Sequence, residues 1–465
     1  MFIKKKARRT FFLFLFDFAA LAGSFNVSYY VYKNQLAPNY AFSWLLLLII
    51  SISFSIEYIL NLNNFDERRS NNFIINRTFI TGVLLIVITN TILFLTPLRY
   101  QGGLTGRGIF SFAMFQYVVW VGIIRWVTSR MVRIKLSQDF WLLLGDLETL
   151  SPFLVDLKQS KFQSRYEVLT KQFASDKKKL IEMGVKPKRI IGGWNKLSHW
   201  KTMQPKGIVL ACSDSDAITN AMQNELMQAR LSGVRVYDLT DFYEMTWQKV
   251  PVLNINKKWF VFSHGFDLIH NPIGIRVKNL IDIVVAISGL IISSPLLLLT
   301  SLFVLLDSKG PVIFKQTRTG VNGKPFTLYK FRSMRTDAEK KGAQWASKND
   351  ERVTRVGKII RKLRFDELPQ LLNILKGEMS FIGPRPERPE FDKKLKAKIP
   401  YYNLRNSLKP GITGWAQVMY PYGASIEDAR EKLEYDIYYI KNYSLLLDLT
   451  ILIRTIKVIL HLQGR

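Results

Sequence analysis

Long apolar runs constrain this chain more than any other feature of its sequence. Four of them, at residues 11–32, 41–62, 79–98 and 109–127, lie within the first 136 residues. Each is about 20 residues long, the length that an α-helix needs to cross the roughly 30 Å hydrocarbon layer of a membrane. The N-terminal region therefore predicts four transmembrane helices. We do not expect cleavage of the first run as a signal peptide, because it is long and no small-residue cleavage site closes it.

The loops between these runs set the expected orientation. Five lysines and arginines precede the first run at residues 4–9, and further cations follow the second and fourth runs. Because positive charge favours the cytoplasmic side, both ends of this region are expected in the cytoplasm. Asp17 lies inside the first run. We expect it to pair with a basic neighbour, and a functional proton site is the alternative.

Composition narrows the functional class. The 465 residues include 66 Lys and Arg against 36 Asp and Glu, a formal net charge of +30 that favours phosphorylated ligands or an anionic membrane surface. With 48% hydrophobic residues concentrated in long runs, the chain does not fit a soluble nucleic-acid-binding protein, and no nucleic-acid partner is expected. A single cysteine, Cys212, excludes an intrachain disulfide and a thiolate zinc site.

Residues 137–270 have the pattern of a soluble α/β domain. Strands are predicted within 140–150, 207–214 and 233–240, with a helix at 220–231. This alternation predicts a parallel sheet. After Gly145, however, Leu147 and Leu150 stand where a dinucleotide-binding fingerprint needs glycine. We expect a degenerate nucleotide-binding fold with a regulatory or oligomerisation role, and cofactor binding is the alternative.

A fifth apolar run, residues 280–306, poses a problem of topology. If four helices leave residue 137 in the cytoplasm, a fifth crossing would place the basic remainder of the chain outside. Ser294 and Pro295 interrupt the run. Proline removes a helical N–H donor, and serine hydroxyls can satisfy the carbonyl that this frees. We expect a helix that breaks near Pro295, dips into one leaflet and returns, with a kinked transmembrane helix as the alternative.

Residues 310–420 carry the strongest chemical signal, and they begin with a basic hairpin. Turn glycines at Gly320 and Gly323 separate two stretches in which cations alternate with aromatic residues. Five of these cations suit phosphate recognition, although such a pattern is also typical of a solvated basic face. They are Lys315, Arg318, Lys330, Arg332 and Arg335.

Asp366 and Glu367 stand side by side further along this segment, with Arg361 before them and Arg385 on a proline-rich loop after them. Acidic residues at the start of a helix often reflect no more than the helix dipole. Here two guanidinium groups near two carboxylates suit nucleophilic attack on phosphorus, which forms an acyl phosphate. Mg²⁺ held by Asp366 and Glu367 would offset the charge of a pyrophosphate. The four histidines lie outside this segment, so imidazole base catalysis is not expected.

Residues 275–465 resemble the catalytic domain of the bacterial sugar transferase family, the monotopic polyprenyl-phosphate phosphoglycosyl transferases. The resemblance rests on Ser294-Pro295, FKQTRTGVNGKPFTLYKFRSM (314–334), RKLRFDELPQLLNILKGEMSFIGPRPE (361–387) and LKPGITGWAQV (408–418). The whole chain resembles the large members, which add four transmembrane helices and a degenerate nucleotide-fold domain.

The resemblance implies transfer of a sugar 1-phosphate from a UDP-sugar to a polyprenyl (undecaprenyl) phosphate, with release of UMP. It implies Asp366 as the nucleophile, assisted by Glu367, and phosphate contacts from Arg361 and Arg385. It also implies that the Ser-Pro break gives a re-entrant helix at residues 278–306. UDP-glucose or UDP-galactose is the expected donor, in exopolysaccharide or capsule assembly, and the large relatives suggest a homodimer.

Two positions depart from the family pattern. Arg364 stands where a small polar residue is expected, and Lys409 stands where arginine is common. Two rival functions also stay open at this point. One is an ordinary membrane glycosyltransferase that releases UDP, and the other is a non-catalytic scaffold that senses nucleotides.

The predicted fold class is a membrane protein that combines α and α/β regions. A four-helix transmembrane bundle is expected over residues 1–136, a degenerate Rossmann-like domain over 137–270, and a mixed α/β catalytic domain over 275–465 on the cytoplasmic face. The re-entrant helix and amphipathic helices are expected to anchor that domain to the bilayer. A helix is predicted at 426–443, and residues 444–462 predict an interfacial amphipathic helix, with a core helix as the alternative.

Overall fold

The computed structural model describes residues 2–35, 44–59, 71–95, 107–138, 140–160, 164–212, 218–338, 350–420, 423 and 425–460. The chain forms two compact units, Met1–Asp238 and Leu239–Arg465. The first unit contains the apolar helices and a parallel sheet. The second contains the residues with the strongest chemical signal.

Four helices open the first unit: α1 (Phe2–Lys33), α2 (Trp44–Ile59), α3 (Asn71–Leu95) and α4 (Arg107–Gln138). They form where the four apolar runs predict them, and buried residues from all four share one core. Within the described residues, three segments are long and apolar enough to cross a membrane: Phe11–Lys33 and Gly108–Met131 in this unit, and Pro272–Asp307 in the second unit. The ends of the second and third runs lie outside the described residues, and the four crossings stay a prediction.

A buried charged cluster lies in this helical core. The Arg125 side chain donates to Asp17 Oδ2 and to Glu57 Oε2, at 2.5 Å in each case. All three residues are buried, so the two ion pairs are shielded from solvent. Asp17 thus has the basic partner that we expected, and that partner comes from a different helix.

The rest of the first unit is a five-stranded parallel sheet with helices between its strands. Its elements are β1 (Phe140–Gly145), α5 (Leu147–Gln159), β2 (Arg165–Thr170), α6 (Phe173–Glu182), β3 (Ile190–Gly193), α7 (Trp200–Met203), β4 (Gly207–Ala211), α8 (Asn220–Leu231) and β5 (Arg235–Asp238). The strand order is β3-β2-β1-β4-β5, the order found in doubly wound nucleotide-binding folds. The predicted parallel sheet is confirmed.

The turn after β1 is closed to a phosphate. Asp146 caps α5, because its carboxylate accepts a hydrogen bond from Thr149 N at 2.9 Å. Gly145 packs so tightly that a Cβ there would lie 2.3 Å from the carbonyl oxygen of Ala211. A carboxylate therefore occupies the helix N-terminus where such folds normally place an anion.

The second unit is built from ten α-helices and four strands among the described residues, with short 3₁₀ helices between them. They are α9 (Leu239–Trp247), α10 (Lys257–Phe262), α11 (Asp267–His270), α12 (Pro272–Asp307), β6 (Ile313–Thr319), β7 (Pro325–Phe331), α13 (Arg355–Lys362), α14 (Leu371–Leu375), β8 (Ser380–Ile382), α15 (Pro389–Lys398), β9 (Gly411–Thr413), α16 (Trp415–Met419), α17 (Ile426–Lys441) and α18 (Leu445–Leu460). Strands β6 and β7 form the expected antiparallel hairpin, and β8 pairs with β9 in parallel.

This unit begins before the predicted domain start at residue 275. Val250 N donates to the carbonyl oxygen of Glu434 at 3.0 Å, and Trp415 Nε1 donates to that of Gln248 at 2.9 Å. Val250, Val252 and Ile255 also belong to the same core as α17. The segment that follows β5 therefore packs as part of the second unit.

Helix α12 runs without interruption from Pro272 to Asp307, although we expected a break near Pro295. Pro295 cannot donate to the carbonyl of Ile291, and the hydroxyl of Ser294 donates to that oxygen instead, at 2.8 Å. The freed backbone acceptor is thus satisfied inside the helix. Because the Ile291 carbonyl has this partner, one helix continues through Pro295 where we predicted a break. The dip into one leaflet stays a prediction.

One side of α12 lies along the second unit. Asp282 Oδ1 accepts from Phe381 N at 2.9 Å, and Asp307 Oδ2 accepts from Val356 N at 3.0 Å. At 1.5 Å per residue these two carboxylates are roughly 37 Å apart along the helix. Between them, Ala286 and Val304 are buried in two cores of the same unit. The opposite side exposes apolar residues such as Ile291, Ile292 and Leu298.

Helix α18 exposes a second apolar stripe. Its residues Leu445, Leu446, Leu449, Ile453 and Ile456 are solvent-exposed. They recur at the three- and four-residue spacing of one helix face. The helix forms within the predicted segment 444–462 and is amphipathic, as we expected.

Candidate active site

A large cavity in the second unit brings the predicted site residues together. Its volume is about 1360 Å³, and all eight predicted catalytic and phosphate-binding residues line it. They are Lys315, Arg318, Lys330, Arg332, Arg361, Asp366, Glu367 and Arg385. Lysine and arginine side chains far outnumber carboxylates on its walls. The cavity therefore suits a ligand with several negative charges.

Local geometry places Asp366 and Glu367 beside the hairpin. They lie in a 3₁₀ turn, Phe365–Gln370, which follows Arg364 in the left-handed region at φ 63°. The short helix α14 comes next, and its Asn373 side chain donates to Thr327 O at 2.7 Å and accepts from Tyr329 N at 3.1 Å. These two bonds hold the acidic turn against β7.

A tight backbone crossing holds the loop that carries Arg385. Gly383 N donates to the carbonyl oxygen of Thr413, and Gly411 N donates to that of Pro384, both at 2.9 Å. A Cβ on Gly411 would lie 2.1 Å from Gly383 N, so no larger residue fits there. Two backbone hydrogen bonds therefore hold this loop in place, and its Arg385 side chain reaches Glu367 in the acidic turn.

Glu367 is held by three cations. Its Oε1 accepts from Arg385 Nη2 at 2.5 Å and lies 3.4 Å from Lys330 Nζ and 3.5 Å from Arg364 Nη1. Burial alone would raise the pKa of Glu367, but these three cations outweigh it and hold the pKa well below its usual range. Glu367 is thus a permanent anion that organises the surrounding cations.

Asp366 has a different environment although it is the next residue. It is only 8% exposed, yet within the described part of the chain its carboxylate has no hydrogen-bond or ion-pair partner. Burial, followed by the charge of Glu367, raises the pKa of Asp366 to about 6, and Lys330, Arg361 and Arg364 offset part of this rise. A carboxylate that is ionised near neutral pH and lacks a partner is available for chemistry.

Lys330 pairs with Glu367, and its charge also acts on Asp366 without a direct contact. Burial lowers the pKa of the Lys330 ammonium to about 8, and the charge of Glu367 limits that fall. The ammonium is therefore charged at neutral pH and can lose its proton in mildly alkaline solution.

The remaining predicted cations differ in how far they are engaged. Arg361 and Lys315 line the cavity without an ion-pair partner among the residues that the structure describes. Arg318 instead braces the loop of Arg385, because its Nη1 donates to Pro386 O at 3.0 Å. Arg361 thus reaches the cavity from α13, whereas Lys315 and the bracing Arg318 both come from β6.

Arg332 has a structural partner that the sequence did not indicate. Its Nη2 donates to the carbonyl oxygens of Val304 at 3.2 Å and Ser308 at 2.5 Å, at the end of α12. A cation at a helix C-terminus satisfies carbonyls that lack a partner within the helix. Nη2 of Arg332 therefore caps α12, its Nε and Nη1 are buried without a partner among the described residues, and its contact with phosphate stays a prediction.

Several residues of the cavity wall were missed by sequence reasoning. Arg364 was noted only as a departure from the family pattern, yet it lies beside Glu367. Arg405 lay in no recognised motif; it is buried, donates to Arg385 O at 2.8 Å and pairs with Asp436 at 3.1 Å. Burial raises the pKa of Asp436 to about 6, against the opposing charge of Arg405. Only the structure shows that this pair supports the loop of Arg385.

The carboxylates of the site fit a magnesium ion that the substrate helps to hold. In the described residues no group of three or more His, Cys, Asp or Glu side chains could hold a metal by itself. Mg²⁺ is usually held by one or two carboxylates together with substrate phosphates. Asp366, whose oxygens have no other partner, and its neighbour Glu367 provide such a set.

Comparison with known proteins identifies the family. Residues 273–462 match the family model described as bacterial sugar transferase. The chain is 42% identical over 252 residues to UDP-N-acetylgalactosamine-undecaprenyl-phosphate N-acetylgalactosaminephosphotransferase of Aeromonas hydrophila, a match that covers 54% of this chain and 58% of the relative.

Two further relatives are similar to this protein. UDP-glucose:undecaprenyl-phosphate glucose-1-phosphate transferase of Klebsiella pneumoniae is 44% identical over 193 residues, 41% of this chain and 42% of the relative. Exopolysaccharide production protein PSS of Rhizobium leguminosarum bv. phaseoli is 41% identical over 186 residues, 39% of this chain but 93% of the relative. With this relative matched over nearly its whole length, the chain belongs to the bacterial sugar transferase family.

Proposed function

We propose that this protein transfers a sugar 1-phosphate from a UDP-sugar to undecaprenyl phosphate, through a covalent intermediate on Asp366. The observation that carries the proposal is the contrast between two adjacent buried carboxylates. Glu367 is held by Arg385, Lys330 and Arg364, whereas Asp366 has no partner in the described structure and lies in a cationic cavity. The names of the relatives support the class of reaction.

In the first proposed step, an Asp366 oxygen attacks the sugar-bearing phosphorus of the donor. A bond forms between this oxygen and phosphorus while the bond from phosphorus to the bridging oxygen breaks, and UMP leaves with the electron pair. Arg361, Lys315 and Lys330 are suited to stabilise the charge on the phosphate oxygens. Bound Mg²⁺, held by Asp366, Glu367 and donor phosphates, would supply further charge neutralisation.

In the second step, a phosphate oxygen of undecaprenyl phosphate attacks the same phosphorus. The bond to Asp366 breaks, and the carboxylate is regenerated as the lipid diphosphate sugar forms. The kinetics should be ping-pong, because UMP departs before the lipid reacts. For the donor we propose UDP-glucose or UDP-galactose, and the relatives' names add UDP-N-acetylgalactosamine to the set to be tested.

The contacts of α12 support a placement at the membrane surface. Its carboxylates Asp282 and Asp307 lie farther apart along the helix than the roughly 30 Å hydrocarbon layer is thick, yet both bind the same catalytic unit. A crossing helix would carry that unit through the bilayer. We therefore propose that the exposed apolar faces of α12 and α18 lie in one leaflet, with the cavity on the cytoplasmic side.

Two measurements test this function. Purified protein incubated with a UDP-sugar alone should gain the mass of a hexose phosphate and release UMP, and Asp366→Asn should do neither. Glu367→Gln keeps the nucleophile Asp366 but should react slowly, because Arg385, Lys330 and Arg364 lose the carboxylate that positions them. Release of UDP would favour the glycosyltransferase alternative. Normal turnover by a correctly folded Asp366→Asn variant would overturn the proposed nucleophile.

A further inference from the structure

The parallel sheet of the first unit carries a cavity of its own. It measures about 430 Å³ and lies where β2 and β3 end, lined by Lys171, Phe173 and residues 192–196. Pockets for small ligands have volumes of roughly 300–1,000 Å³. The carboxyl ends of parallel strands are also the edge at which open α/β sheets bind ligands. Both size and position therefore suit a small molecule.

The charge of this cavity is positive. Lys171 Nζ lies 5.9 Å from the centre of the Trp194 ring, and Lys196 Nζ donates to the carbonyl oxygen of Ile191 at 2.9 Å. Neither ammonium has a carboxylate partner among the residues that the structure describes. Two such charges on one wall favour an anionic ligand.

The cavity also offers an aromatic surface. The Trp194 ring lines it, and the indole Nε1 is buried without an acceptor in the described part of the chain. Because this nitrogen is covered by the protein, the contact that Trp194 offers a ligand is its ring. Gly192 and Gly193 also line the cavity, and the Lys196 side chain packs over Gly192, since a Cβ there would lie 2.5 Å from Lys196 Cδ. A planar ring can therefore stack on the Trp194 ring with the Lys196 side chain close by.

The neighbouring strand end lacks these features. After β1, the carboxylate of Asp146 already caps α5 and would repel a second anion. The end of β2 and β3 thus differs from the expected nucleotide position in charge and in access. We propose that the cavity at Lys171, Trp194 and Lys196 binds a nucleoside phosphate, with its phosphate near the two lysines and its base against the indole.

Photoaffinity labelling of the full-length protein in detergent tests this site. The probes are 8-azido-ATP and 5-azido-UTP, one for each class of base. Trypsin releases residues 190–196 as one peptide that contains Trp194, because Arg189 and Lys196 flank it. At least one probe should label this peptide, and an excess of the matching unmodified nucleotide should prevent it.

Paired variants separate a specific site from general attraction. Lys171→Gln with Lys196→Gln should weaken labelling at Trp194 at least about tenfold, since a bond to a charged group exceeds the ~1.4 kcal/mol that a factor of ten requires. This variant lacks the cleavage site at Lys196, so its labelled peptide is 190–201 and fragmentation assigns the label to Trp194. Lys178→Gln with Lys188→Gln changes two exposed lysines by the same charge and should leave it unchanged. No label at Trp194 from either probe, or equal loss in both pairs, would overturn the proposal. Labels on peptides of the second unit report the candidate active site independently.

Discussion

The pH dependence of the first half-reaction should report Asp366 and Lys330. Attack requires Asp366 without its proton and Lys330 with its proton, and their pKa values lie at about 6 and about 8. The rate should therefore fall as pH decreases through 6, because the nucleophilic oxygen becomes protonated. It should fall again as pH increases through 8, because the cavity loses the charge of Lys330.

The size of each change follows from these values. One pH unit beyond a pKa, only about one tenth of a group remains in the required form. We thus expect a broad maximum near pH 7 and rates about tenfold lower at pH 5 and at pH 9. Lys330→Arg should remove the alkaline decrease, since guanidinium keeps its proton above pH 12, and should leave the acidic decrease in place.

Rapid mixing with UDP-sugar alone, followed by quenching and intact mass analysis, measures this step without the lipid phosphate, which itself titrates. Thermal unfolding at pH 5, 7 and 9 serves as the control for folding. A rate that is flat from pH 5 to pH 9 would contradict our assignment of these pKa values. An alkaline decrease that persists in Lys330→Arg would show that another group causes it.

Three other substitutions test structural roles. Arg125→Met should lower the free energy of unfolding by about 3–5 kcal/mol, because it leaves two buried carboxylates unpaired. Adding Asp17→Asn and Glu57→Gln to this variant should restore most of the lost stability. Denaturant titration measures both changes. Arg332→Met should cost roughly 3 kcal/mol of stability by freeing two helix carbonyls, yet change the KM for donor less than twofold in the folded protein. Arg405→Met should reduce kcat about tenfold to a hundredfold with little change in KM, because it releases the backbone of an active-site loop; steady-state kinetics decides.

The sequence predicted the elements whose signal is local. Strands β1 and β4, helix α8 and the β6–β7 hairpin follow from apolar alternation and from turn glycines, and each appears where expected. Strand β2 was missed because its sequence, RYEVLT, mixes charged and polar residues with apolar ones and has no long apolar run. Strand β3 is only four residues, Ile190–Gly193, too short for periodicity to be visible.

The sequence predicted which residues line the site better than it predicted what each of them does. Charge and motif brought Lys330, Arg332 and Arg385 into one list, but they could not distinguish a cation on Glu367 from one that caps a helix. That distinction depends on which carbonyls and carboxylates the fold brings within about 3.5 Å of each cation. Arg405 was invisible for the same reason, since its partners lie on other elements of the unit.

Adjacent residues acquire different tasks here because a 3₁₀ turn rotates successive side chains by about 120°. Glu367 consequently faces Arg385 and Lys330, while Asp366 does not. Exchanging the two, as Asp366→Glu with Glu367→Asp, conserves charge but moves each carboxylate by one methylene, about 1.5 Å. Because a misplacement of this size costs about a hundredfold in rate, the exchanged protein should fold normally and form the sugar-phosphate adduct at least about a hundred times more slowly. Adduct formation at the wild-type rate would contradict this reasoning. It would mean that a carboxylate at position 366 is sufficient, whatever the length of its side chain.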